Sequence, residues 1–129
     1  MSDQQASGAV LYAKNISLVS EFYAQVAGLK ITHAEQDHVA LASPTFQLVV
    51  VAIPEDLAET IEITSPPQCR TDTPIKLMII VPSISSARSA AAGLGGELYP
   101  PEHEWQYQNY RVCDGHDPEG NVVQFRERL

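Results

Sequence analysis

The sequence predicts an α+β fold of two tandem βαβββ modules, and three observations carry that expectation. Apolar residues alternate with period two over several short runs, as strands with one buried face require. Two other runs repeat their apolar residues at helical spacing, each preceded by a capping residue and followed by glycine. An offset of 68 residues then lays the first half of the chain on the second: Gly8 falls on Lys76, Asn15 on Ser83 and Gly28 on Gly96. Repeated order, more than repeated identity, marks two copies of one unit in a single domain over residues 1–129. The copies occupy about residues 6–63 and 75–129, with a linker over 64–74.

In the first module, residues 8–14 alternate, with Ala9, Leu11 and Ala13 on one side and Gly8, Val10 and Tyr12 on the other. Asn15 suits an N-cap, because its side-chain oxygen can accept from a free amide of the first turn. Leu18, Val19, Phe22, Tyr23 and Val26 form one apolar stripe until Gly28 stops the helix. Residues 29–33, 38–43 and 46–53 read as strands, with Pro44-Thr45 turning into the last, and residues 55–60 as a short helical turn. Prolines and polar residues over 65–74 make the linker.

The second module starts with a strand over 75–81. Ser83 caps a helix carrying Ile84, Ala87, Ala91 and Leu94 and closed by Gly95-Gly96. Strands follow over 97–100, 107–113 and 121–126. The extra length of this module falls at 101–107 and in the turn 117–121, both expected to be exposed loops that tolerate insertion.

Composition bounds the function. With 129 residues and a net charge of -8, the chain repels phosphate backbones, and its few Lys and Arg are scattered, so nucleic acid is not an expected partner. No run approaches a membrane span, and Met1 to Gln5 lack the basic start of a secretory leader, so a cytoplasmic location is expected and no membrane partner. Cys69 and Cys113 lack the spacing of a metal or redox pair and are expected as reduced thiols with a packing role. His33, His38, His103 and His116 show no ligand-like spacing; His116, beside Asp117, is the best single acid–base candidate among them.

The segments KNISLVSEFYAQVAGL, AAGLGGEL and DPEGNVVQF resemble the vicinal oxygen chelate superfamily of glyoxalases, bleomycin-resistance proteins and extradiol dioxygenases. The Phe22-Tyr23 pair and the Asp-Pro-x-Gly-Asn turn carry the resemblance, which spans essentially the whole chain. It implies paired modules whose mixed sheets curl around an open cavity, in a homodimer. It also implies where metal-using members place their ligands: at the start of each module's first strand and on each module's last strand. Those positions are Gly8, Gln47, Lys76 and Gln124, and none is His, Asp or Glu. A divalent cation prefers imidazole and carboxylate to neutral amides, and the Lys76 ammonium would repel it.

Alternation assigns Gly8, Val10, Tyr12, Gln47, Val49, Val51, Lys76, Met78 and Gln124 to the cavity face. Leu11, Leu48, Val50, Leu77, Ile79, Val123 and Phe125 take the helix-facing side. The segment 103–111 adds Trp105, Tyr107, Tyr110 and Arg111, aromatic and basic groups suited to stacking on a flat ligand at the pocket mouth. The expected function is therefore metal-free binding of a small organic molecule, with no cofactor. The alternative is a metal-dependent glyoxalase-like lyase or isomerase, or a dioxygenase-like enzyme, whose ligands are displaced onto His33, His38 or His103.

Overall fold

The computed structural model describes residues 6–129, so Met1 to Gln5 and their expected lack of a leader lie outside the described residues. β1 (Gly8–Ala13) leads into α1 (Ile16–Val26), whose start is fixed by the Asn15 side chain accepting from the Leu18 N–H at 3.0 Å. Gly28 then adopts φ 73°, a left-handed conformation that glycine reaches without steric penalty, and the chain reverses into the sheet. The first sheet has the order β1, β4 (Gln47–Ala52), β3 (His38–Ala42), β2 (Lys30–Ala34). β1 runs parallel to β4, and the other pairs are antiparallel. A single helical turn, α2 (Glu55–Ala58), follows β4.

The second sheet repeats that plan. β5 (Leu77–Ile80) pairs in parallel with β9 (Val122–Arg128), and β8 (Tyr110–His116) lies antiparallel to β9. α3 (Ile84–Ala92) is capped by Ser83, whose hydroxyl accepts from the Ser86 N–H at 3.1 Å. The fold is thus α+β, with two mixed sheets that stay open. α1 packs against β2, β3 and β4 and also against α3, which covers β6 (Glu97–Leu98) and β9. Leu48, Val50, Ile79, Val123 and Phe125 are buried on this side. Each contributes about 1.5–3 kcal/mol of transfer free energy. One residue out of phase, Val10, Tyr12, Met78 and Ile80 point to the uncovered face and are exposed.

Four expectations need correction. α3 ends at Ala92 with Gly93 as its C-cap, and the left-handed glycine after it is Gly95 (φ 83°), so the 68-residue offset holds at the N-caps and slips by one at the left-handed glycines. The segment 101–107 is not one loop: a 3₁₀ turn (Pro101–His103) leads to β7 (Trp105–Tyr107), which pairs with β8. The strand expected over 97–100 shrinks to β6 (Glu97–Leu98), on the other end of β8. Most consequentially, the turn 117–120 is buried, not exposed, with Asp117 at 0% and Glu119 at 3% exposure.

Glu119 accepts from the Lys14 and Asn15 N–H groups at 2.9 and 2.7 Å, and Asp117 accepts from the Tyr23 hydroxyl at 2.8 Å. The turn of the second module is therefore docked on the first strand and helix of the other. Gly120 is needed twice there: it holds φ 85°, and a Cβ on it would lie 2.2 Å from the Gln68 carbonyl oxygen. Burial, then the neighbouring Asp117 carboxylate, push the Tyr23 hydroxyl well above its ordinary pKa. Because the folded pKa is raised, the Tyr23 contribution is complete below about pH 10 and is lost as pH rises beyond it. The melting temperature is expected to fall from about pH 10 upward in the native chain, and to fall less steeply in Tyr23→Phe, read by thermal melts from about pH 8 to pH 11. Among the described residues no helix is long and apolar enough to cross a membrane.

Candidate functional site

The uncovered face is assembled by strand register, because directly paired residues share a side. In the first sheet the rows are Gly8 with Gln47, Val10 with Val49, and Tyr12 with Val51 and His38. In the second they are Met78 with Gln124 and Asp114, and Ile80 with Arg126, Val112 and Trp105. Tyr107 and Tyr110 form the next row out. Matching Val10 to Met78 places Gln124 level with Val49, so Gln47 and Gln124 are not equivalent positions of the two modules.

The polar groups of the second sheet pair with one another. Lys76 Nζ lies 3.0 Å from Asp114 Oδ2, and Arg126 Nε donates to Gln124 Oε1 at 2.9 Å. The Arg126 guanidinium sits 5.2 Å from the Tyr107 ring centroid and 5.8 Å from that of Tyr110, within the range of cation–π attraction. Asp114 Oδ1 is buried and has no hydrogen-bond partner among the described residues. Beside it a hollow of about 430 Å³ is lined by Arg70, Thr71, Thr73, Lys76, Tyr99 and Asp114. Burial and the adjacent Cys69 push the Tyr99 hydroxyl up to about 12, so it enters this hollow as a neutral hydrogen-bonding group.

The first sheet offers less. A Cβ on Gly8 would stand 1.8 Å from the Gln47 carbonyl oxygen, so no side chain fits there at the present strand spacing. Gln47 Nε2 donates to the Ala6 carbonyl at 2.7 Å. A larger hollow of about 650 Å³ opens at the start of α1 between Lys14, Ser17, Thr64 and Pro118. Its buried carboxylate, Glu119, is already committed to two backbone amides. The uncovered sheet face therefore has the stronger claim.

Of the residues selected from sequence, Met78, Trp105, Tyr107, Tyr110 and Gln124 share the uncovered face of the second sheet, and Gly8, Tyr12 and Gln47 that of the first. Lys76, just before β5, joins them through Asp114. Arg111 does not. It alternates to the helix-facing side with Cys113 and approaches Glu104 at 3.6 Å, and Glu104 also binds Arg88 of α3. Cys113 donates to the Tyr99 carbonyl at 3.2 Å, and burial pushes its thiol pKa up, which disfavours the nucleophilic thiolate.

The histidines also need correction. His33 and His38, which show no ligand-like spacing in sequence, bring their rings to 5.6 Å centroid to centroid across the β2–β3 pair. His116 is buried in the turn, its Nδ1 3.0 Å from the Asp117 carbonyl oxygen, a structural placement. Asp114 and Arg126 were missed as site residues. The two-residue alternation from Tyr110 and Gln124 reaches both, and extending it would have found them.

The glyoxalase-like domain family matches residues 8–125 of the chain. No curated protein matches it. Among solved structures, a protein of unknown function from Agrobacterium tumefaciens is 23% identical, covering 100% of this chain and 98% of its own at a TM-score of 0.66. A glyoxalase/bleomycin resistance protein/dioxygenase family enzyme from Burkholderia phytofirmans is 17% identical, covering 95% of this chain and 97% of its own at 0.67. A glyoxalase/bleomycin resistance protein from Albidiferax ferrireducens is 14% identical, with coverages of 97% and 98% at 0.64. At these identities the likeness speaks for the fold alone.

Proposed function

Because the chain belongs to the glyoxalase-like domain family of the vicinal oxygen chelate superfamily, we propose that its open sheet face binds a small organic molecule by sequestration, without a metal ion. The observation that carries this reading is the pairing on that face. Lys76 occupies one oxygen of Asp114, Arg126 occupies the oxygen of Gln124, and among the described residues Asp114 Oδ1 is the one buried side-chain oxygen or nitrogen without a partner. The four metal positions implied by the superfamily do not fit a divalent cation. Gly8 has no room for a side chain, the two glutamines offer neutral amides, and Lys76 brings an ammonium.

The same groups suit a partly flat ligand. Tyr107, Tyr110 and Trp105 offer stacking surface, and Arg126 offers a charge for a carboxylate or other acceptor. A donor on the ligand would satisfy Asp114 Oδ1, whose partner strand residue lies one strand repeat, roughly 7 Å, from Arg126. The exposed Val10, Tyr12, Met78, Ile80, Trp105 and Tyr107 support a homodimer in which a second copy completes the cavity. Free Cys69 and Cys113 fit a cytoplasmic location.

Trp105 is the only tryptophan, so intrinsic fluorescence reads this face directly. In a screen of planar aromatic carboxylates and aromatic antibiotics, a binder is expected to quench Trp105 and raise the melting temperature together. Arg126→Leu is expected to weaken that ligand by about 10–100-fold, the loss of one charge-assisted hydrogen bond. Unchanged affinity in Arg126→Leu would remove the residue from the site. One tight equivalent of Zn²⁺ or Fe²⁺, retained when His33 and His38 are both alanine, would overturn the metal-free reading.

A further inference from the structure

We propose that His33 and His38 form a two-histidine site for a borderline divalent transition metal of the Cu²⁺, Ni²⁺ or Zn²⁺ type. The site lies at the end of the β2–β3 pair, apart from the four superfamily positions, and does not depend on the organic ligand. The geometry is the first argument. Two imidazoles bound to one tetrahedral ion at about 2.0–2.1 Å hold their ring centroids roughly 5.2 Å apart. Here the separation is 5.6 Å with the rings inclined at 37°, so a small side-chain adjustment suffices.

The second argument is tautomeric. His33 Nε2 lies 2.8 Å from Glu35 Oε2, and His38 Nδ1 lies 2.8 Å from Asp37 Oδ1. A carboxylate on one ring nitrogen holds the proton there and leaves the other nitrogen as a lone-pair donor, the arrangement that metal-bound histidines use in their outer shell. Each ring thus carries one anchored nitrogen and one free nitrogen: Nδ1 of His33 and Nε2 of His38. The paired carboxylates also offset part of the added charge.

The surroundings leave space for an ion. An open groove of about 660 Å³ is lined by His33, Glu35, Gln36, Asp37 and His38 alone, and the two imidazole side chains are 57% and 35% exposed. Among the described residues no three His, Cys, Asp or Glu side chains are placed to hold a metal as a set. The protein therefore supplies two ligands and water completes the sphere. The bulge between Ile31 and His33 is what brings His33 opposite Ala40, diagonal to His38. Two nitrogen ligands select for borderline ions over the hard, oxygen-seeking Mg²⁺ and Ca²⁺.

The test titrates the untagged chain with NiCl₂, CuSO₄ and MgCl₂ by calorimetry, beside His33→Ala, His38→Ala, and Glu35→Gln with Asp37→Asn. One equivalent of Ni²⁺ or Cu²⁺ is expected, with no Mg²⁺ bound. Either histidine variant is expected to lose at least tenfold in affinity, and the double carboxylate variant about tenfold, the usual effect of removing outer-shell partners. Electron paramagnetic resonance of the Cu²⁺ form should show two nitrogen ligands, falling to one in either single variant. All four side chains are at the surface, and thermal melts establish that the variants stay folded. No Ni²⁺ or Cu²⁺ binding by the native chain, or binding unchanged in either histidine variant, would overturn the site.

Discussion

Replacing Asp117 by alanine is expected to destabilise the protein by about 3–5 kcal/mol, the largest single-residue effect we anticipate. The carboxylate is fully buried and accepts from four donors: the Tyr23 hydroxyl at 2.8 Å, the Glu119 and Asn121 N–H groups at 2.9 and 3.1 Å, and Asn121 Nδ2 at 2.9 Å. Alanine would leave the Tyr23 hydroxyl and the turn amides without an acceptor, and each orphaned buried donor costs about 1–3 kcal/mol. Urea unfolding would read the loss as a lower midpoint at an unchanged slope. Tyr23→Phe removes one of the four bonds and should cost less. If Asp117→Ala unfolds within about 1 kcal/mol of the native chain, the turn is not the tie between the modules.

That tie joins two distant sequence signals. Phe22-Tyr23 and the Asp-Pro-x-Gly-Asn turn carry the resemblance, and in three dimensions they are one hydrogen-bonded contact spanning 94 residues. Caps, strand alternation and helix stripes are local, so they were legible: Asn15, Ser83 and Gly28 act as their chemistry predicts. The burial of the turn was not legible, because Pro, Gly and Asp signal a turn without saying what it docks against. β7 escaped for the same reason. Its pairing with β8 depends on a partner strand, and a three-residue run carries too little periodicity to announce itself.

The candidate site divides along the same line. Alternation assigns Tyr12, Met78 and Gln124 to the uncovered side of their sheets, and in β8 it separates Tyr110 from Arg111, two residues that the aromatic segment 103–111 offers together. What alternation cannot supply is pairing across strands. Lys76 looks like a free cation in sequence and is engaged by Asp114 in the fold. His33 and His38 show no ligand-like spacing in sequence and meet through a bulge. Both depend on register, which is set by the whole sheet.

Placing histidine at the first metal position that the superfamily resemblance implies, Gly8→His, is expected to lower stability by about 1–3 kcal/mol and to create no tight metal site. The reason lies in the backbone. A Cβ at residue 8 meets the Gln47 carbonyl oxygen at 1.8 Å and the carbonyl carbon at 2.8 Å, so β1 must part from β4 before any imidazole can enter. Gly8→Ala isolates this cost, since it adds the Cβ without the ligand. Zn²⁺ calorimetry on Gly8→His in a His33→Ala, His38→Ala background separates the position from the hairpin pair. Submicromolar Zn²⁺ binding with an unchanged melting temperature would mean that strand spacing yields readily, and that the absence of an imidazole at residue 8 alone keeps a metal from this position. The opposite result would place the departure in the sheet itself: with β1 drawn this close to β4, the face at Gly8 is backbone, and recognition passes to Asp114, Gln124 and Arg126 on the second sheet.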